Sequence, residues 1–125
     1  MPSVERRLPE KRRYPRFSVG GRIKGRVRAF YEASVMNVSL GGALIEHDQI
    51  IRPGSTSFVL LFLQGHPVSL RCHVTWSRVD RPELQPDGEK ALIFRTGIEF
   101  LDPTGEAQQS LSDYIDSLRD ALRVS

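Results

Sequence analysis

The chain has 125 residues, 39% hydrophobic and 26% charged, which is ordinary for a water-soluble globular protein and long enough for one real core. Its longest apolar run, Phe58 to Leu63, is far too short to span a bilayer, so membrane insertion is not expected. Nor does an apolar stretch follow the basic residues near Met1, so no secretory leader is expected.

The formal charge of +3 conceals an asymmetry. Residues 1–28 hold ten Lys and Arg against Glu5 and Glu10, while the remainder holds eight basic residues against thirteen acidic ones. Charge segregated in this way builds a local positive potential that attracts an anion. A lone Cys72 rules out an internal disulfide and fits a reducing, cytoplasmic setting. Its place in an apolar series marks it as a core residue.

Residues 1–18 read as a polar, basic arm, and residues 19–125 as the folded body. Pro15 keeps Tyr14 out of helical angles, which puts the arm's arginines on an extended or turning loop. From Arg22 to Phe30 the pattern alternates, with Ile23, Gly25, Val27 and Ala29 on one side and Arg22, Lys24, Arg26 and Arg28 on the other. That predicts a strand with one wet, basic face. Tyr31-Glu32 is expected to turn the chain, with short strands following over 33–38 and 42–46 and a loop over 47–55.

Thr56 to Leu63 has the composition and length of a buried strand. After a turn at Gly65-His66-Pro67 comes the clearest alternation in the chain. Val68, Leu70, Cys72, Val74 and Trp76 face one way, and Ser69, Arg71, His73, Thr75 and Ser77 the other. Residues 78–89, with Pro82, Pro86 and Asp87-Gly88, predict a loop, and Lys90 to Phe100 a last strand or bent pair of strands. Asp102-Pro103 reads as a helix start. Leu111, Tyr114, Ile115, Leu118 and Leu122 then fall at helical spacing, which predicts an amphipathic helix over about 103–123. About six strands and one carboxy-terminal helix argue a mainly β fold, a small six-stranded antiparallel barrel with the helix packed against it.

Two short elements carry the chemistry. Arg12 and Arg16 stand in Lys11-Arg12-Arg13-Tyr14-Pro15-Arg16, an Arg-x-x-x-Arg element. Asn37, Ser39 and Gly42 stand in Asn37-Val38-Ser39-Leu40-Gly41-Gly42, an Asn-x-Ser-x-x-Gly element. If the strands between them pair as an antiparallel hairpin, the two elements meet at one end of it. Guanidinium forks match phosphate oxygens and the O6/N7 edge of guanine. Asn37 and Ser39 add a side-chain carbonyl and a hydroxyl, and the glycines permit unusual backbone angles or close approach.

This pair of elements, in this order and separation, resembles the PilZ domain family, bacterial receptors for the second messenger cyclic di-GMP. The Val74-Thr75-Trp76-Ser77-Arg78 and Gly97-Ile98-Glu99-Phe100 runs are also similar to the family's, so the resemblance covers roughly residues 10–120. It implies the same barrel-and-helix fold, with Arg12 and Arg16 binding ligand phosphate and base, Arg13 as a third contact, and Asn37 reading a guanine edge. Ser39, Gly41 and Gly42 complete that set. Trp76 either lines the pocket, as an aromatic does there in some members, or belongs to the core with Val74 and Cys72.

In the family, a basic residue just before the first arginine goes with a stacked pair of ligands and an apolar one with a single molecule. Lys11 therefore implies two molecules of cyclic di-GMP per chain. The expected mechanism is a basic arm that folds over the barrel on binding and offers a new surface to a downstream protein in motility, pilus, exopolysaccharide or transcriptional control. Other readings stay open: a PilZ-like interaction module working without nucleotide, or a basic barrel binding nucleic acid. The latter is disfavoured because no run of exposed aromatics is evident. His47, His66 and His73 lack metal-ligand spacing. No catalytic triad, carboxylate pair or phosphate-binding loop can be assembled, so neither enzymatic activity nor a cofactor is expected.

Overall fold

The computed structural model describes residues 14–27, 31–103 and 105–124. Among them are six strands, β1 (Phe17–Val27), β2 (Tyr31–Val38), β3 (Gly42–His47), β4 (Thr56–Leu63), β5 (His66–Leu84) and β6 (Lys90–Phe100), followed by helix α1 (Gly105–Val124). All pairings are antiparallel, and the ring closes in the order β1-β2-β3-β6-β5-β4. This is the expected barrel with one carboxy-terminal helix. Lys11, Arg12 and Arg13 lie outside the described residues.

Strand periodicity decides what faces inward. Ile23, Gly25 and Val27 of β1, Val59, Leu61 and Leu63 of β4, and Val68, Leu70, Cys72 and Val74 of β5 are all buried, while Lys24 and Arg26 stay exposed. Leu111 and Ile115 turn the buried stripe of α1 onto the same core, with Tyr114 and Leu118 packed beside them.

Several boundaries differ from expectation, each for a local reason. β1 begins at Phe17, not Arg22, because Gly20 and Gly21, at φ 56° and 81°, carry a bulge that lets Phe17 and Ser18 pair with Val38 and Asn37. Tyr31 and Glu32 belong to β2 and pair with Val27 and Arg26. The β4–β5 turn is made by Gln64 and Gly65, at φ 51° and 83°, so His66 and Pro67 already belong to β5. Helix α1 starts at Gly105, two residues past Pro103, and Asp102 sits in the connecting bend at φ 42°.

The largest departure is the segment predicted as a loop from Arg78 to Glu89. β5 runs on to Leu84, pairing with β6 from Val79↔Phe94 to Leu84↔Lys90, and from Arg81↔Ile93 onward the two strands form an arm beyond the ends of β3 and β4. Pro82 is compatible with a strand here because the arm's outer edge has no ladder to complete. Only Gln85–Glu89 turns, held by Gly88 N–H to the Gln85 carbonyl at 2.9 Å and Gln85 N–H to the Glu89 carbonyl at 2.7 Å.

Candidate functional site

The hairpin of β1 and β2 joins the two sequence elements. Arg16 stands just before β1 and Asn37 near the end of β2, and the register Ser18↔Asn37, Phe17↔Val38 sets them side by side. The Arg16 guanidinium donates from Nη1 to the Asn37 side-chain oxygen at 2.9 Å.

The turn after β2 is organised by Ser39, which is buried. Its hydroxyl oxygen accepts from the backbone N–H groups of Gly41 at 3.0 Å and Gly42 at 3.2 Å. Its own N–H donates to the Gly42 carbonyl at 2.8 Å. Ser39 therefore shapes the turn beside Asn37. Gly41 lies beneath the Tyr14 ring, since a Cβ there would come within 2.9 Å of Tyr14 Cδ2. At Gly42 the constraint is the barrel wall: a Cβ would drive into the Ile98 carbonyl oxygen across the β3–β6 pairing. Tyr14 is a residue that sequence reasoning missed, because only its position before Pro15 drew notice.

Trp76 is not in the core. A bulge between Val74 and Trp76 sets two β5 residues against one on β6, giving Val74↔Ile98 and then Trp76↔Gly97. The extra residue, Thr75, reverses the alternation, so Trp76 is 38% exposed on the outer wall. Ser77, expected on the wet face, turns inward and hydrogen-bonds the buried Thr96 hydroxyl at 2.8 Å. The indole lies flat on Gly97, where any Cβ would clash with it, and the Arg78 guanidinium sits 4.8 Å above its ring. Arg78 is the second missed residue; its contact depends on the bulge, which leaves no mark in the alternation.

Register ties the two halves together. Asn37 pairs with Leu44, Leu44 with Gly97 and Gly97 with Trp76, forming one row across β2, β3, β6 and β5. At about 4.8 Å per strand the row spans roughly 14 Å. It offers a guanidinium and an amide at one end and a cation-capped indole at the other. An anion suits Arg16 and Arg78, and a planar aromatic ring suits the indole only in the place of Arg78, since Gly97 covers the other face.

The groups with shifted protonation lie farther along the barrel. Two hydrogen bonds of 3.1 Å from Arg81 grip Glu46 and hold its carboxyl below the usual range, with Arg95 adding a third at 2.9 Å. His47 is buried, stacked on Phe94 and bonded to Thr96, and burial lowers its pKa. Among the described residues, no cluster of His, Cys, Asp or Glu could hold a metal ion. No helix there is long and apolar enough to cross a membrane.

The PilZ domain family model matches residues 10–117. The chain belongs to the PilZ domain family. Its fold is similar to the PilZ domain of YcgR from Escherichia coli, solved with c-di-GMP, at TM-score 0.68 and 17% identity over 90% of this chain and 95% of that one. It is also similar to the Klebsiella pneumoniae MrkH–c-di-GMP complex (TM-score 0.69, 17% identity, 91% of this chain and 55% of that one). A third similar structure is the Bacillus subtilis inhibitor of motility MotI/DgrA (TM-score 0.61, 18% identity, 90% and 52%). The chain thus spans about half the length of the last two. No curated protein matches it.

Proposed function

We propose that this PilZ domain is a receptor for cyclic di-GMP that passes the signal to a partner protein. The observation that carries this reading is the 2.9 Å bond between Arg16 and Asn37, which unites the Arg-x-x-x-Arg and Asn-x-Ser-x-x-Gly elements at one place on the barrel. The YcgR and MrkH structures, both containing that nucleotide, support the same assignment.

Each group has a defined task in the proposal. Arg12, Arg13 and Arg16 bind phosphate oxygens and the O6/N7 edge of guanine, for which a guanidinium fork is matched in geometry and charge. Asn37 accepts from a guanine edge, with Ser39, Gly41 and Gly42 holding the turn that aims it. Trp76 offers its outer face to a base in the place Arg78 occupies, with the guanidinium turning aside to a phosphate. Lys11 adds a cation that offsets repulsion between the four phosphates of two ligands, so two molecules bind per chain. Binding draws the amino-terminal arginines onto the barrel and changes the surface shown to the partner, with the ligand's preference for that state supplying the energy.

Calorimetric titration with cyclic di-GMP, beside a single-stranded oligonucleotide of equal charge, tests the reading. Saturable binding of the dinucleotide alone supports it. Heat from the oligonucleotide only, or from neither, overturns it.

A further inference from the structure

Behind the Trp76 row, on the inner side of the sheet, three polar side chains form a chain of their own. Ser77 on β5 pairs with Thr96 on β6, and their hydroxyl oxygens lie 2.8 Å apart. The Thr96 hydroxyl also lies 2.5 Å from Nε2 of His47, the last residue of β3. Thr96 and His47 are 0% and 4% exposed. One buried hydroxyl thus ties three strands together across the barrel interior. Nδ1 of the same imidazole is buried and has no hydrogen-bond partner.

The chain ends on the bulge that aims Trp76. Ser77 stands between Trp76 and Arg78, and Thr96 stands next to Gly97, on which the indole lies. Thr75, the inserted residue, donates its hydroxyl to the Gly97 carbonyl at 2.9 Å. Two hydroxyls therefore pin the bulge to β6, one on either side of Trp76. The second of them depends on where Thr96 is held.

A neutral imidazole lets the protons of such a chain run in either direction. An imidazolium does not: Nε2 must donate to Thr96, and Nδ1–H becomes a buried donor without an acceptor. Little nearby offsets that cost. Glu46 and Arg95 point to the outer face and pair there with each other, with Arg81 and with Asp80. Lys24, Arg26, Glu32 and Glu83 stand across the cavity at the end of β3. Asp48 and the Gln49 backbone favour the charged ring, and burial outweighs both. Because β3 ends at His47 and the next residue is exposed, a charged ring has a short way out to water.

We infer that His47 positions Trp76 and Arg78 through Thr96 and Ser77, and that taking up a proton breaks this chain and loosens the bulge. The consequence for ligand rests on the receptor reading above, whereas the coupling of His47 to Trp76 does not. A ligand held by Trp76 and Arg78 favours the neutral ring. Affinity is then full above the His47 pKa and falls as pH drops through it.

The full chain without ligand tests the coupling between about pH 8 and pH 5, the range in which a histidine titrates. Histidine ring NMR follows His47, emission follows the single tryptophan, and circular dichroism verifies the fold. Trp76 emission should shift with the midpoint of His47. His47→Gln should abolish that shift. In Ser77→Ala the ring should still titrate while Trp76 no longer follows. Calorimetry with cyclic di-GMP should show affinity falling by up to about tenfold per pH unit, the limit for one linked proton. That fall should be absent from His47→Gln. Trp76 emission that stays flat while His47 titrates overturns the inference. So does a shift that survives in either variant, or a His47 that titrates only as the chain unfolds. Absence of binding at every pH would refute the receptor reading, with the Trp76 shift still deciding this inference.

Discussion

The guanidinium of Arg16 and the side-chain amide of Asn37, separated by 21 positions in the chain, are joined by a 2.9 Å hydrogen bond at the end of the first hairpin. Neither group is spent in the core: Arg16 is exposed and Asn37 half-buried. A ligand can thus engage both without opening the barrel. Arg16→Ala should weaken cyclic di-GMP binding at least tenfold, the scale of a lost charge-assisted hydrogen bond. Thermal unfolding should be unchanged. Normal binding by this variant would place the ligand elsewhere.

Stoichiometry separates the amino-terminal cations by role. Calorimetry should saturate near two molecules of cyclic di-GMP per chain at low salt, with affinity falling as salt rises. Lys11→Leu should move saturation toward one. A wild type saturating at one would remove Lys11 from the site.

Trp76 is the chain's single tryptophan, so its fluorescence reports on one place. Cyclic di-GMP should quench it, and Trp76→Ala should weaken binding by about 1–3 kcal/mol, the range for an aromatic stacked on a base. Val79→Ala, farther along the arm, should bind normally. Unchanged emission at saturating ligand would leave the indole outside the pocket.

The two adjacent glycines should behave differently. Gly42→Ala pushes a methyl group into the Ile98 carbonyl at the β3–β6 pairing, where backbone must move. It should cost about 3 kcal/mol or more. Gly41→Ala meets only the exposed Tyr14 ring, which can swing aside, so it should cost under about 1 kcal/mol. Denaturant midpoints that fall equally would contradict this assignment.

Acid sensitivity should come in two steps. His47 is lowered by burial and Glu46 by its bonds to Arg81, so for both the unfolded chain binds the proton more readily. Stability from each is complete above its unfolded value and lost as pH falls through the folded one. The histidine step begins below about pH 6.5 and the glutamate step below about pH 4.5. His47→Leu should flatten the first in a plot of unfolding free energy against pH, and Glu46→Gln the second. A profile unchanged by either substitution would contradict this pairing.

The barrel was readable from the sequence wherever one residue in two is apolar. β4, the first half of β5 and the buried stripe of α1 follow directly from that pattern, as does the burial of Cys72. The meeting of the two motifs also followed, because a hairpin must bring them together. What escaped depends on single inserted residues. Thr75 turns Trp76 outward, and the bulge carrying Gly20 and Gly21 extends β1 back to Phe17. Neither leaves a trace in the alternation. The arm escaped because Pro82 and its charged neighbours are as suited to an unpaired ribbon edge as to a loop. The contact of Tyr14 with Gly41 links distant positions, and no local pattern encodes it.

The order in which the ring closes bears on how the chain acquires its site. Four of the six pairings join consecutive strands, whereas β1–β4 and β3–β6 close the circle between remote segments. Local hairpins form in microseconds, while remote pairings must first overcome the entropy of long intervening loops. The Arg16–Asn37 end belongs to the quick part, the β1–β2 hairpin. Trp76 can join the row only through the late β3–β6 seam. A chain emerging from the ribosome would hold the cationic half of its binding surface well before the aromatic half, and would become competent for ligand only at the last closure.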